Sequence, residues 1–129
     1  MDHEEIIKEI KEAILKYTKT LVLNNFGYSI EERKEIYSID ILVLIGFKLF
    51  LFEVKTGTKE KKARKQLEFH KNSFMKSQKI SLPIKNIFFT EIKTFWVAYE
   101  KDKIINIETN EETTYINFIN DPLSFLLKE

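Results

Sequence analysis

The stretch from Asp40 to Lys55 reads Asp-Ile-Leu-Val-Leu-Ile-Gly-Phe-Lys-Leu-Phe-Leu-Phe-Glu-Val-Lys, and it decides the fold. It contains two short apolar runs that are separated by Gly46 and Phe47. A glycine at the first central position is typical of a two-residue type II′ turn, so the stretch predicts a β-hairpin. Because both faces of the two runs are apolar, we expect the hairpin to lie inside a sheet rather than at its edge.

Polar side chains come together at the open end of this predicted hairpin. The two-residue turn sets Asp40 opposite Glu53, and the alternation of side chains along a strand sets Lys55 on the same face as Glu53. Facing carboxylates repel each other unless a positive charge compensates. Mg²⁺ prefers carboxylate oxygens with water and phosphate, and a nearby lysine orients an attacking water. The pattern therefore indicates a metal-dependent hydrolytic site, with a structural salt-bridge cluster of the same three residues as the alternative.

Helices and further strands are predicted around the hairpin. Asp2 is suited to cap a first helix from about His3 to Leu23, which Asn24, Asn25 and Gly27 would end. A strand over residues 28–33 then leads into the hairpin. The resulting order predicts an α/β fold with a central mixed sheet flanked by helices. The remaining predicted elements are a helix over 60–78, a strand over 84–90, paired strands over 94–99 and 103–108, and a short helix over 123–128.

The composition sets the class of protein. The chain has 129 residues, of which 43% are apolar, so we expect a single folded domain over residues 1–129. It contains no cysteine, which excludes disulfides and thiolate metal sites and is typical of an intracellular, cytoplasmic protein. The longest apolar run, Ile41 to Phe47, is far shorter than a membrane span, so no membrane partner is expected.

Positive charge is concentrated in one part of the chain. The net charge is −3 over residues 1–47, +7 over 48–79 and −3 over 80–129. This distribution indicates an anionic partner for the middle segment, and a solvated lysine-rich helix face is the alternative. The candidate nucleic-acid-binding residues are Lys59, Lys61, Lys62, Arg64 and Lys65.

The spacing of the polar residues resembles a known nuclease signature. Asp40, twelve residues, and then Glu53-Val54-Lys55 are similar to the D-X(n)-E-X-K motif of the PD-(D/E)xK nuclease superfamily. Gln66 follows Lys55 by eleven residues, as in the RecB-like branch, although His70 stands where that branch often has a tyrosine. Archaeal Holliday-junction resolvases are similar in size and in their order of elements.

The resemblance implies a restriction-endonuclease-like core of α-β-β-β-α-β order and a Mg²⁺- or Mn²⁺-dependent endonuclease. It implies that Asp40, Glu53 and the Val54 carbonyl bind the metal. It further implies that Lys55 positions or deprotonates the attacking water and that Gln66 steadies the water or a metal ligand. DNA is the expected substrate with RNA as an alternative, and a homodimer would supply two sites for cutting both strands. The rival interpretation is a non-catalytic nucleic-acid-binding or complex-forming module on the same fold.

Members of this superfamily often place a further acidic residue on the first helix. Glu9 lies nearest the flank of the apolar stripe and is the first candidate for this metal-binding role, with Glu5 second; a solvated glutamate is the alternative. The resemblance covers about residues 1–75 and leaves 80–129 unmatched.

The two histidines and the aromatic residues of the second half of the chain are predicted to have structural roles. His3 and His70 each occupy an apolar helix position, which favours a place at the edge of the core over a catalytic role. The aromatic residues of the second half are expected in the core, with a base-stacking platform as the less favoured alternative. They are Phe88, Phe89, Phe95, Trp96 and Tyr99.

Overall fold

The computed structural model describes residues 1–30, 35–55, 58–83 and 85–128. This part of the chain contains four helices and eight strands, with a short 3₁₀ turn at Tyr99–Lys101. The helices are α1 (His3–Tyr17), α2 (Glu60–Ser77), α3 (Tyr115–Asn120) and α4 (Pro122–Leu126). The strands are β1 (Leu21–Ser29), β2 (Ile36–Ile45), β3 (Lys48–Val54), β4 (Lys79–Ser81), β5 (Asn86–Phe88), β6 (Glu91–Ala98), β7 (Lys103–Asn106) and β8 (Glu112–Thr113).

A six-stranded mixed sheet forms the centre, with strand order β1-β2-β3-β6-β7-β8. Strands β3 and β6 are parallel and the other neighbours are antiparallel. A parallel pair needs a long crossover, and here α2 together with the small β4-β5 ribbon supplies it. The predicted α/β class with a mixed central sheet is therefore confirmed.

The hairpin of β2 and β3 has the predicted turn and register. Ile45 pairs with Lys48 and Ile41 pairs with Phe52, which is the register that a two-residue turn requires. Gly46 adopts a φ of 62°, and Phe47 has no positive φ, as a type II′ turn demands. Both strands lie inside the sheet, so the predicted central position is also confirmed.

Two apolar layers cover the two faces of the sheet. Helices α1, α3 and α4 pack on one face against Val43, Phe50 and Phe95. Helix α2 and the β4-β5 ribbon pack on the other face against Leu42 and Trp96. No helix in the described ranges has the length and apolar character needed to cross a bilayer.

The first helix is shorter than predicted. It begins at His3 with the expected capping box of Asp2 and Glu5, but it ends at Tyr17, and Leu21 already belongs to β1. The apolar Leu21 to Leu23 continues the helical spacing of the sequence, but these residues pair with β2 and gain sheet hydrogen bonds. Tertiary pairing therefore overrides the local helical pattern.

The second half of the chain matches the predicted order with shifted boundaries. The predicted pairing of strands over 94–99 and 103–108 is confirmed by β6 and β7. Asp121 caps α4 as its chemistry indicates, whereas α3 and β8 were not predicted. Residues 31–33 of one predicted strand and Ile84 of another lie outside the described residues. Phe89, Phe95 and Trp96 are buried as expected, but Phe88 is exposed.

We expect Gly46→Ala to lower the free energy of unfolding by about 1–2 kcal/mol, because an L residue is strained at positive φ. No atom lies within 4 Å of a Cβ built at Gly46, so the loss would be purely conformational. Gly46→Asn should lose less, since asparagine tolerates this region. Denaturant titration measures the effect.

Gly27→Ala is the matched control for this experiment. A Cβ at Gly27 would meet Ile36 Cγ2 at 3.6 Å, which is ordinary contact, and its φ is not positive. Its stability should be unchanged or raised by up to about 1 kcal/mol. Equal losses in the two alanine variants would contradict the strained-turn assignment.

Candidate active site

The carboxylate of Asp40 ends the pairing between β2 and β3. The last paired residues are Ile41 and Phe52, so Asp40 and Glu53 are not a backbone pair, although the register predicted one. Instead, the N–H of Val54 donates to Asp40 Oδ2 at 2.7 Å. The side chain thus takes the hydrogen bond that a main-chain carbonyl of β2 would otherwise accept.

The backbone of β2 is irregular at Asp40 on its other side as well. The β1–β2 ladder pairs Asn24 with Ile41 and Phe26 with Ile39 but skips Asp40 and Asn25, which has a φ of 50°. Ile39 packs on the α2 face, whereas Ile41 packs on the α1 face, so the strict alternation of side chains is broken between them. This irregularity turns the Asp40 carboxylate into the gap between β2 and β3.

Glu53 carries its carboxylate into the interior on the α2 face. The residue is 3% exposed, and burial raises its pKa to about 9. The negative charge and hydrogen bonding of neighbouring Asp40 add to this rise in pKa, while the charge of Lys55 opposes it. At neutral pH and without a cation, the Asp40–Glu53 pair therefore holds a proton.

A histidine and a tyrosine extend this polar pair into the core. His70 Nε2 lies 3.1 Å from Glu53 Oε1, and His70 Nδ1 lies 2.7 Å from the Tyr28 hydroxyl. Burial lowers the pKa of His70 to about 4 and raises the pKa of Tyr28 to about 12, so both are neutral at pH 7. His70 was predicted only as a core-edge residue; its spacing of four from Gln66 on one helix face was the signal for a shared site.

A cavity of about 640 Å³ opens above these groups. It brings together the four predicted catalytic residues, namely Asp40, Glu53, Lys55 and Gln66. It is also lined by Glu35, Ile36, Tyr37, Ser38, Lys65, Phe69 and His70.

Lys55 and Gln66 keep their polar ends available within this cavity. Among the described residues, no ion pair within 4.0 Å joins Lys55 to Asp40 or Glu53, which argues against a simple salt-bridge cluster. The Gln66 Oε1 atom is buried and has no hydrogen-bond partner in the described part of the chain. A buried acceptor without a partner is costly, so this oxygen is suited to a bound water or ligand.

The oxygen atoms at the cavity floor fit a hard divalent cation. Asp40 and Glu53 offer carboxylates, and Gln66 offers an unpartnered carbonyl oxygen. The Val54 side chain is a hydrocarbon, so this residue can contribute only its main-chain carbonyl oxygen. The described residues contain no group of three or more His, Cys, Asp and Glu side chains arranged around one point. Mg²⁺ is commonly held by one or two carboxylates plus water and phosphate, so two carboxylates are sufficient.

Glu9 is not at this site. It lies near Tyr115 on the α1 face of the sheet, opposite α2. Burial raises the pKa of the Tyr115 hydroxyl, and the nearby Glu9 carboxylate adds to this rise. The α1 residue that contacts the carboxylate pair is His3, whose Nε2 lies 3.2 Å from Asp40 Oδ2. The amphipathic pattern predicted the buried stripe of α1 correctly, but it contained no information about which sheet face the helix covers.

The predicted basic residues point in different directions. Lys61 and Lys62 are exposed at the start of α2, and Lys65 lines the 640 Å³ cavity. Arg64 donates hydrogen bonds to Glu60, to the Ile107 carbonyl and to Asn110, so its guanidinium group has protein partners on three sides. Lys59 lines a second cavity of about 350 Å³ near the α1 N-terminus.

No family model, curated protein or solved structure significantly matches this chain. The chemical interpretation of the site therefore depends on the geometry described above.

We expect the free energy of unfolding of the metal-free protein to fall as pH rises from about 7 to 9. Glu53 has an ordinary pKa of 4.5 when unfolded and about 9 when folded, so the folded state binds more protons in this range. The loss is at most about 1.4 kcal/mol per pH unit for one proton. The lowered pKa of His70 affects stability only below about pH 6.5. There the unfolded state binds a proton that the folded state does not, so the free energy of unfolding falls as pH falls towards 4.

Glu53→Gln should remove most of this decline and make the protein more stable than the wild type at pH 9. Glu12→Gln, at a side chain that is 66% exposed on α1, is the matched control and should keep the wild-type slope. Chemical denaturation at pH 7, 8 and 9 measures the slopes. The same slope in Glu53→Gln and wild type would show that Glu53 is not the titrating group.

Proposed function

We propose that this protein is a Mg²⁺- or Mn²⁺-dependent nuclease that hydrolyses phosphodiester bonds in DNA. The observation that carries the proposal is the pair of buried Glu53 and half-buried Asp40 at the floor of an open cavity, with Lys55 beside it. A pair of carboxylates that must retain a proton when alone is a natural site for a divalent cation.

The order of elements supports the same proposal. Reading α1, β1, β2, β3, α2 and then β6, with β6 parallel to β3, gives the α-β-β-β-α-β order expected of a restriction-endonuclease-like core. The candidate residues occupy the end of the β2–β3 hairpin, as the D-X(n)-E-X-K resemblance implies. Fold analogy alone does not establish activity, so the proposal depends on the site.

The residues proposed to hold the cation are Asp40, Glu53 and the Val54 carbonyl. A bound cation would supply Lewis-acid stabilisation of the phosphate and a more acidic water. The Asp40–Glu53 pair would release its proton on occupation, so metal affinity should increase with pH. Asp40 is held for this role by the Val54 N–H and by His3, and Glu53 is held by His70.

Lys55 and Gln66 are proposed to act on water and phosphate. The Lys55 backbone is fixed by a hydrogen bond from its N–H to the Val97 carbonyl at 3.2 Å, and its side chain lines the cavity. The ammonium group can stabilise charge that develops on the phosphate or orient the attacking water. The free Gln66 Oε1 atom would accept a hydrogen bond from that water.

Basic residues on α2 are proposed to contact the nucleic-acid backbone. Lys62 lies three residues before Lys65 and four before Gln66, so it is on the same flank of α2 as these two residues, which line the cavity. A chain with one such site cuts one strand at a time, and a twofold homodimer would supply the second site for a duplex.

Asp40→Asn should abolish cleavage, lowering it by roughly 100-fold or more, because it removes one charge from the cation site. Asparagine keeps an acceptor for the Val54 N–H, so the metal-free protein should melt at the same temperature or higher. The rise in melting temperature that Mn²⁺ gives the wild type should disappear. Lys55→Ala should keep that rise but slow cleavage by about 100-fold.

Asp102→Asn is the matched control, because Asp102 lies away from the cavity at a φ of 52° that asparagine tolerates. It should retain both cleavage and stabilisation by Mn²⁺. Cleavage of linear, branched and single-stranded DNA is assayed with Mn²⁺ and with chelator. Wild-type protein that binds DNA but shows neither metal stabilisation nor cleavage would favour the non-catalytic binding module.

The triple substitution of Lys61, Lys62 and Lys65 by alanine should weaken DNA binding similarly for all sequences. The log–log salt dependence should become shallower by about one unit for each phosphate that the variant no longer binds. The triple substitution of Lys8, Lys16 and Lys19 on and beside α1 is the control that removes the same charge. Salt titrations in which both triples behave alike would show that α2 is not the binding face.

A further inference from the structure

The hairpin of β1 and β2 extends beyond the end of β3. Four pairs, from Phe26–Ile39 to Ser29–Ile36, continue after the β2–β3 ladder has ended at Ile41. This β1–β2 extension lies along α2, where Tyr28 contacts Phe74 at a ring-centroid distance of 4.7 Å. The extension and α2 are therefore the two walls of the 640 Å³ cavity, and the carboxylates form its floor.

Apolar side chains from both walls meet at the mouth of this cavity. The ring centroids of Tyr37 and Phe69 lie 4.7 Å apart with an interplanar angle of 47°, and Tyr28 supports Tyr37 from the core side at 5.7 Å. Ile36 lines the same space and is 80% exposed, the highest value among the exposed large apolar residues. This mouth is thus a pre-formed aromatic surface with an uncovered aliphatic side chain beside it.

The same cavity contains a charged side and an apolar side. Lys55 and Lys65 line it together with Glu35 and the carboxylate pair, whereas Ile36, Tyr37 and Phe69 line the mouth. Its volume lies within the range of about 300–1,000 Å³ that is usual for ligand sites. A ligand that suits both sides has an anionic part and a flat apolar part, and a nucleotide unit of a strand has both. A base in a duplex is covered by its neighbours and its partner, so only an unpaired base presents a free face to an aromatic surface.

We propose that Ile36, Tyr37 and Phe69 form a binding site for one unpaired nucleobase. The preferred substrates are single strands, or branched molecules that expose an unpaired base next to the cut phosphate. This inference rests on the proposed function for the nucleic-acid class of the ligand and goes beyond it in naming the structure of the substrate. The base stacks at the mouth while its phosphate reaches the floor near Lys55 and Lys65.

The test compares binding of two single-stranded oligonucleotides, one with 2-aminopurine at a central position and one with an abasic site there. Ca²⁺ replaces Mn²⁺ so that binding is measured without cleavage. Wild-type protein should quench the 2-aminopurine fluorescence and bind the intact strand about 5- to 150-fold more tightly than the abasic strand. Equal affinities, or fluorescence that does not change, would overturn the proposal without any variant.

Variants then locate the site. Tyr37→Ala and Phe69→Ala should bring the affinity ratio close to one, whereas Tyr37→Phe and Phe69→Tyr should preserve it. Phe88→Ala is the matched control, because Phe88 is an aromatic residue that is 56% exposed on β5 and does not line the cavity. The assignment would be overturned if the ratio of the two affinities fell to one in Phe88→Ala but stayed at the wild-type value in Tyr37→Ala and Phe69→Ala. The base would then bind elsewhere.

The proposed function and the base site fail in different ways. Base-dependent binding without any cleavage in Mn²⁺ would overturn the proposed nuclease activity and support the proposed base-binding site. Cleavage in Mn²⁺ together with equal affinity for intact and abasic strands would support the proposed nuclease activity and overturn the proposed base-binding site. If a second copy of the chain covers this apolar mouth instead, Ile36→Ala would change the sedimenting mass and oligonucleotide binding would not depend on the base.

Discussion

The hydrogen bond from the Val54 N–H to Asp40 Oδ2 is the contact on which the site depends. It satisfies a buried main-chain donor with a side chain, and so it allows the β2–β3 ladder to stop without an orphan N–H. The end of that ladder leaves the first part of β2 paired with β1 alone. The space between this segment and α2 is the cavity. The site is therefore a consequence of the Asp40 carboxylate replacing a main-chain carbonyl of β2 as the acceptor for the Val54 N–H.

The surroundings of Glu53 are costly for the fold. Burial beside a second carboxylate disfavours its ionised form, and the metal-free protein tolerates it only by keeping a proton. The neutral His70 and Tyr28 provide hydrogen bonds without adding charge. An apolar residue would fill the position of Glu53 more favourably, since its neighbours Leu51, Phe52 and Val54 are all in the core. Groups that burden stability in this way are concentrated at functional sites.

The sequence determined the hairpin and its register because turn chemistry and two-sided hydrophobicity are local signals. It also located α2 closely, with Gln78 at its C-cap. It did not reveal the break at Asp40, since that break depends on hydrogen bonds from β1, β3 and His3 together. It also did not reveal the neighbours of Glu9 and Arg64, which are Tyr115 and the Ile107 carbonyl. Helical periodicity separates buried from exposed positions, but the neighbours of a side chain depend on elements that are distant in sequence.

The unequal lengths of β2 and β3 connect the fold to the chemistry. Strand β2 has ten residues and β3 has seven, so the start of β2 lacks a neighbour on one edge. That segment needs other support, and aromatic contacts of Tyr28 and Tyr37 with α2 provide it. Two of the rings in these contacts, Tyr37 and Phe69, therefore also border the cavity. The apolar mouth and the polar floor therefore share a structural origin, because both lie where β2 extends beyond the end of β3.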